Sequence, residues 1–382
     1  MRRSAWTGEL LVFAFFVLLS LAFFWRVVLG EYLLPFDNLL QYPPWQSHAQ
    51  DLIPGFQHPQ NHLVSDLVLE NLVWKRFAVE SLRDGQLPLW NPHVFAGVPF
   101  LAAGQSSALY PLTFLFYIMP VERAFGYFAI LHFALAAFFT DEFGRTLGLS
   151  RLAAVCAGVT FSFSLFMVAS VVFPMVIGAA IWLPLLLLVI EQLVRRFQSG
   201  ASPSGGRLRS FVTAPPVLVP LGAAILAVQF LAGHIEISYY VLLTAAFYGA
   251  VRVAMLGWAS RAWPPAVRAL ISLGVMAALG FGLAALLLLP FYELASFNFR
   301  QGSVSFSEVI DWAFPPRQLL GFLMPDVFGN PSHHAYFDVF RWQQVPFAQD
   351  FGGNAIDHPY WGSKNYVEAA SYVGVLPLLL AV

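Results

Sequence analysis

Carboxylates set among tryptophans, amides and prolines are the residues of this chain that could carry group-transfer chemistry. They gather in one polar stretch, residues 30–107, which follows a single apolar run. Asp37 comes first, in LPFDNLLQYPP. A carboxylate between Phe36 and Leu39, just past the apolar run, is expected to be partly desolvated, which suits a general base. An exposed turn-forming Asp before Asn38 is the plainer alternative. Gln41 and Tyr42 of the same run are candidate substrate-binding groups. Asp66 and Glu70 open DLVLENLVWKRFAVESLRDG, an expected helix that Ser65 can cap and whose first-turn acids suit the helix dipole. They are like-charged at i,i+4, which a cation or a basic ligand group would relieve; two solvated acids would look the same. Trp90, Asn91 and Gln105 offer ring faces and amides that fit sugars, or else belong to an interfacial aromatic belt. His234 and Glu236, in the tight GHIE turn, either face the cavity of Asp37 or are solvated. Arg317 and Lys364 could hold a lipid-borne phosphate, or be ordinary loop charges. No HExxH, CxxC or DxD spacing occurs, so no metal site is expected, and a divalent cation stays open only as relief for the paired acids.

The elements that must position these residues are apolar. Of 382 residues 58% are hydrophobic and 11% charged, against about 25% charged in soluble domains. Several runs approach the roughly 20 apolar residues that cross a bilayer core. The expected fold is therefore all-α, a single polytopic helical membrane domain over residues 1–382. A net charge of −1 without a basic patch excludes a nucleic-acid partner. Cys156 is the lone cysteine and has no intrachain disulfide partner. The basic start and apolar run of the N-terminus lack a small-residue cleavage site, so a retained first span is expected rather than a signal peptide.

Spans are expected at about 8–29, 124–141, 152–171, 173–193, 211–232, 236–256 and 268–291, with an eighth starting near 371. Placing the arginines at the span ends inside puts the N-terminus and the Ser/Gly/Arg-rich connector 194–210 in the cytoplasm. The loops 30–123 and 292–370 then face outward, provided the 13-residue stretch ALYPLTFLFYIMP at 108–120 is interfacial or re-entrant and does not cross. Only Glu9, Asp141, Glu142 and Glu191 of the 21 acidic residues fall near inner ends. The stripe Leu69, Leu72, Val73, Phe77 reads as a helix lying on the membrane, with Lys75 and Arg76 snorkelling and Arg76, Glu80 and Asp84 forming an ion ladder. The final apolar run, 371–382, is too short to cross, so the chain is expected to stop mid-span as a truncated form of a longer protein.

FDNLLQYPPW, LPLWNPHVFAGVPFLAAGQSSALYPL, GHIEISYY and, later, PPRQLLGFLMPDVFG, YWG and EAASYVGVLPLLL together resemble the bacterial YfhO family of membrane proteins, in order and over nearly the whole chain. That family looks like the GT-C class of glycosyltransferases. The resemblance implies sugar transfer from a polyprenyl-phosphate donor, at the outer membrane–water boundary, to a cell-envelope glycan or lipid acceptor. It also implies an Asp soon after the first span as base, which Asp37 matches, and a second acid in the same loop, for which Asp66 or Glu70 match by position only. A lipid-linked sugar transporter and a non-catalytic envelope-biogenesis protein are the alternatives. Scarce mid-span charges and the lack of an inverted repeat count against the transporter.

Overall fold

The computed structural model describes residues 2–56, 61, 64–199, 215–261, 263–297, 305–311, 313–314, 316–330, 335–338, 342–346, 366–368 and 370–380. Nine helices carry the architecture of these residues: α1 (Arg2–Phe23), α2 (Leu72–Arg83), α3 (Val121–Leu147), α4 (Arg151–Ser162), α5 (Pro174–Ala180), α6 (Trp182–Ser199), α7 (Pro215–Leu231), α8 (Ile235–Ser260) and α9 (Trp263–Ala295). Five segments are long and apolar enough to cross a membrane: Val121–Leu147, Arg151–Val172, Pro174–Gln198, Ile235–Ser260 and Trp263–Ala295. Two more, Thr7–Phe23 and Pro215–Leu231, are apolar but shorter. A helical membrane protein is what these lengths and this composition describe. The segment expected to be interfacial forms only two short turns, Pro111–Phe114 and Leu115–Ile118.

Small residues let the helices close on one another, as is usual where lipid removes the hydrophobic drive between apolar faces. Gly158 of α4 lies against α3, where an added Cβ would stand 2.6 Å from the Ala137 carbonyl oxygen. Gly222 and Gly280 do the same for α7 and α9, admitting Met276 and Leu226. Two apolar cores result. One gathers Phe24, Tyr110, Phe116, Phe128 and Phe133 around α3, and the other gathers α6, α7, α8 and α9. Much of α9 stays bare, with Leu270, Leu279, Leu283, Leu286 and Leu289 exposed as a lipid-facing helix requires.

Charges collect at the end of the bundle where α3 turns into α4. Gly148, with φ 98°, ends α3 in a left-handed cap and Ser150 caps α4. Arg151 there bonds Glu9 of α1 at 2.5 and 2.9 Å and Asp141 of α3 at 3.0 Å. Ligand atoms of Glu9, Asp141 and Glu142 lie within 4.8 Å of one another. On α6, Glu191 is held by Arg195, Arg252 and Tyr248. So the four acids expected together near the inner ends each lie in a cluster with arginine.

Three expectations about the polar stretch change. Lys75 does not snorkel: it is buried, because the inward face of the turn Leu67–Asn71 and of α2 after it runs Val68, Leu72, Lys75, Val79, while Leu69 and Val73 face outward. Arg76 leaves the ladder and pairs with Glu122 of α3 across the chain, Nε to Oε1 at 2.9 Å. The loops also carry two small hairpins that an all-helical reading omits: Trp90–Asn91 with Val98–Pro99, and Ala335–Asp338 with Gln343–Pro346.

Candidate functional site

The chain past α1 turns through Trp25–Val28 and then enters a short 3-10 helix, Phe36–Gln41. Between them lies a cavity of about 470 Å³. Its polar lining includes Arg26, Glu31, Tyr32, Asp37 and Asn38, and its apolar walls are Val27, Leu33, Leu34, Pro35 and Val64. Asp37 is half-buried, and among the described residues none donates a hydrogen bond or ion pair to its carboxylate. Arg26 and Glu31 form a two-point ion pair at 2.8 and 2.9 Å. Both are exposed, so the pair is screened by water and can exchange partners. Arg123 of α3 sits 5.9 Å from the Tyr32 ring centroid, a second cation beside the cavity.

Asn38 fixes the floor of this cavity. Fully buried, it donates from Nδ2 to the Asn61 carbonyl at 2.9 Å and to Ser65 Oγ at 3.0 Å, tying the 3-10 helix to the start of the next helical segment. Its Oδ1 is buried with no partner among the described residues, an arrangement that costs free energy unless a further donor reaches it. Asn38, Arg26, Glu31 and Tyr32 were not singled out in the sequence. The available signal was their spacing, four polar side chains between positions 26 and 38 at the end of the apolar run.

The other expected site residues divide by place. Gln41 donates to the Asn38 carbonyl at 3.2 Å, and Tyr42 is exposed. Neither lines the cavity, nor do Asp66 and Glu70, which are exposed at the opening of the π turn Leu67–Asn71. Glu70 stays open to solvent, but desolvation by its neighbours, with the Asp66 charge adding to it, raises its carboxyl above the ordinary range. Asn91 is buried, its Oδ1 accepting from the His93 N–H at 2.9 Å as in an Asx turn. Trp90 is half exposed, but one side of its ring covers Gly97, leaving no room there for a Cβ. Gln105 is exposed at the crest of Gly104–Ser107, the segment that meets the turn before α8. Arg317 lies in the 3-10 turn Pro316–Phe322, its side chain outside the described residues, as is all of Lys364.

His234 caps α8. Its Nδ1 accepts from the Ile237 N–H at 3.2 Å, which requires a neutral ring with the proton on Nε2. Burial lowers the His234 pKa, only partly offset by the Glu236 charge. Glu236 itself is exposed and accepts from Tyr240 at 2.9 Å. A folded-state pKa below the unfolded value means stability that is whole above about pH 6.5 and lost as pH falls through the folded pKa. His234→Ala should therefore lose about 1 kcal/mol of local stability at pH 7.5. His234→Asn should keep the cap and lose its acid sensitivity. Hydrogen exchange of the Ile235–Ser238 amides between pH 5 and 8 reads both; equal acid sensitivity in wild type and His234→Asn would sink the assignment.

Beneath this end a hydrogen-bonded chain crosses the core. His132 Nδ1–H donates to the Phe128 carbonyl at 2.7 Å, so Nε2 accepts from the Tyr110 hydroxyl at 2.9 Å, whose oxygen accepts from Trp182 Nε1–H at 3.1 Å. Every member is satisfied, which suits a structural pin between α3, α6 and the Tyr110 segment.

No protein-family model, no curated protein and no solved structure matches this chain.

Proposed function

We propose that this protein is a GT-C-like membrane glycosyltransferase that works at the end of the bundle bearing the long loop, on the outer face of the cell membrane, with its N-terminus cytoplasmic. The observation that carries the reading is the cavity at the end of α1, in which a half-buried carboxylate with no partner among the described residues, Asp37, stands beside Arg26, Glu31 and Tyr32. Exposed Trp25, Val28 and Leu29 on the preceding turn offer an apolar approach from the lipid side. A sugar carried on a polyprenyl phosphate would keep its tail in lipid and its headgroup in this cavity, its phosphate meeting Arg26 or Arg123. Asp37 takes the proton of an acceptor hydroxyl of a cell-envelope glycan or lipid. The oxygen attacks the anomeric carbon, the bond to the phosphate oxygen breaks, and the lipid phosphate leaves with that electron pair, inverting the centre. A phosphate monoester leaving group needs less charge neutralisation than a nucleotide diphosphate, and arginine supplies it here.

The test is transfer itself. Purified protein in proteoliposomes is given a radiolabelled polyprenyl-phosphate hexose and an envelope lipid extract, and products are identified by mass spectrometry. A new glycosidic bond with loss of the donor supports the reading. Sugar moved across the bilayer with the donor intact would replace it with the transporter.

A further inference from the structure

Lys75 occupies a position in α2 where the spacing calls for an apolar side chain, three residues after Leu72 and four before Val79. It is buried, Nζ donates to the Ser106 carbonyl oxygen, and the Phe116 ring centroid lies 5.2 Å away. No described carboxylate forms an ion pair with it. Ser106 belongs to Gly104–Ser107, which is gripped on its other side by the turn before α8. Ser107 Oγ donates to the Ala232 carbonyl at 2.7 Å. Gly233, at φ 91°, lies so close that a Cβ there would overlap the Gly104 carbonyl oxygen. One short segment thus bridges α2 and α8, and the Lys75 amine is its tie on the α2 side.

The charged and titratable groups around Lys75 do not neutralise an ammonium. On α3, His132 is within electrostatic range but is held neutral by its two hydrogen bonds, and Glu122 is taken by Arg76. Tyr117 and Tyr110, on the segments packed beside it, are neutral phenols. On its own side of the loop, Glu70 is exposed.

We propose that Lys75 is a pH-responsive latch that holds Gly104–Ser107 between α2 and the Ala232–His234 turn and releases it on acidification. Burial without a counter-charge favours the neutral amine and pulls the Lys75 pKa down to about 7. Released into water, the same side chain titrates near 10.4. The closed state therefore binds fewer protons than the open one between these values, and closure weakens as pH falls. The opening constant should rise nearly tenfold per unit from pH 9.5 to 7.5 and level off below about 7, where both states are protonated.

Hydrogen exchange of the full-length protein in nanodiscs, corrected for intrinsic rates, reads the amides of residues 104–107 against pH. His234→Asn serves as background, removing the neighbouring cap's own response. Wild type on that background should show the tenfold slope and the plateau. Lys75→Met should abolish the slope. Lys75→Arg, charged throughout, should open the segment at every pH without a slope, and serves alone if Lys75→Met does not fold. A flat wild-type profile, or an unchanged slope in either Lys75 variant, overturns the latch.

Discussion

Arg252→Met is expected to destabilise the fold by about 3–5 kcal/mol, the cost of stripping a partner from a buried charge. Glu191 is 1% exposed, and each of its oxygens accepts twice. Arg252 contributes one bond to each oxygen, at 2.6 and 2.8 Å, and so joins α8 to α6. Arg195 stays after the substitution but is 45% exposed and donates from Nε to Glu191 Oε1, not to the Oε2 that Arg252 Nε holds. The loss should survive high salt, because a buried pair is screened far less than a surface one. Arg26→Met, in contrast, removes a water-screened surface pair and should leave the denaturation midpoint close to that of wild type. The double change Glu191→Leu with Arg252→Met should recover most of the loss, since the cost lies in the orphaned carboxylate and not in the missing attraction. Denaturation midpoints in detergent at 0.1 and 1 M salt decide the matter. A single variant as stable as wild type would mean that Glu191 finds water or is protonated.

The helical framework was legible because apolar length and terminal charge are local properties. Of the eight expected spans, the first seven correspond to apolar helices, five of them long enough to cross, while the one expected near 371 meets only the short helix Val375–Leu380 among the described residues. The polar stretch was less legible because its contacts are long-range. Arg76 chooses Glu122, 46 residues away, over Glu80 one turn along, because α2 packs on the start of α3. The burial of Lys75 was hidden by its identity: a lysine on an amphipathic helix is assigned to the water face, and only Val68, Leu72 and Val79 around it mark the inward one. For the candidate site, Asp37 could be named from the sequence, but its surroundings could not. The cavity is closed by Asn61 and Val64, which the Asn38 bonds bring back to the 3-10 helix. Nor does a sequence distinguish an Asn91 spent on its own turn from one free to meet a sugar.

Asp37→Asn should lower transfer by about 10²–10⁴-fold, the range a positioned general base contributes. The substitution is nearly isosteric, and no described residue bonds the carboxylate, so stability should stay within about 0.5 kcal/mol of wild type. Loss of rate with an unchanged denaturation midpoint is then a statement about chemistry. Asp37→Glu, which keeps the base but displaces it, should restore part of the rate. Asp66→Asn and Glu70→Gln lie outside the cavity lining and should leave turnover within a few-fold, altering at most the apparent affinity for the acceptor. Should Asp66→Asn or Glu70→Gln abolish transfer while Asp37→Asn spares it, the base belongs to the opening of the Leu67–Asn71 turn. The raised Glu70 carboxyl would then be the place to look. Asn38→Ala separates position from chemistry: it frees the 3-10 helix from Asn61 and Ser65, so it should cost both stability and rate, whereas loss of the base costs rate alone.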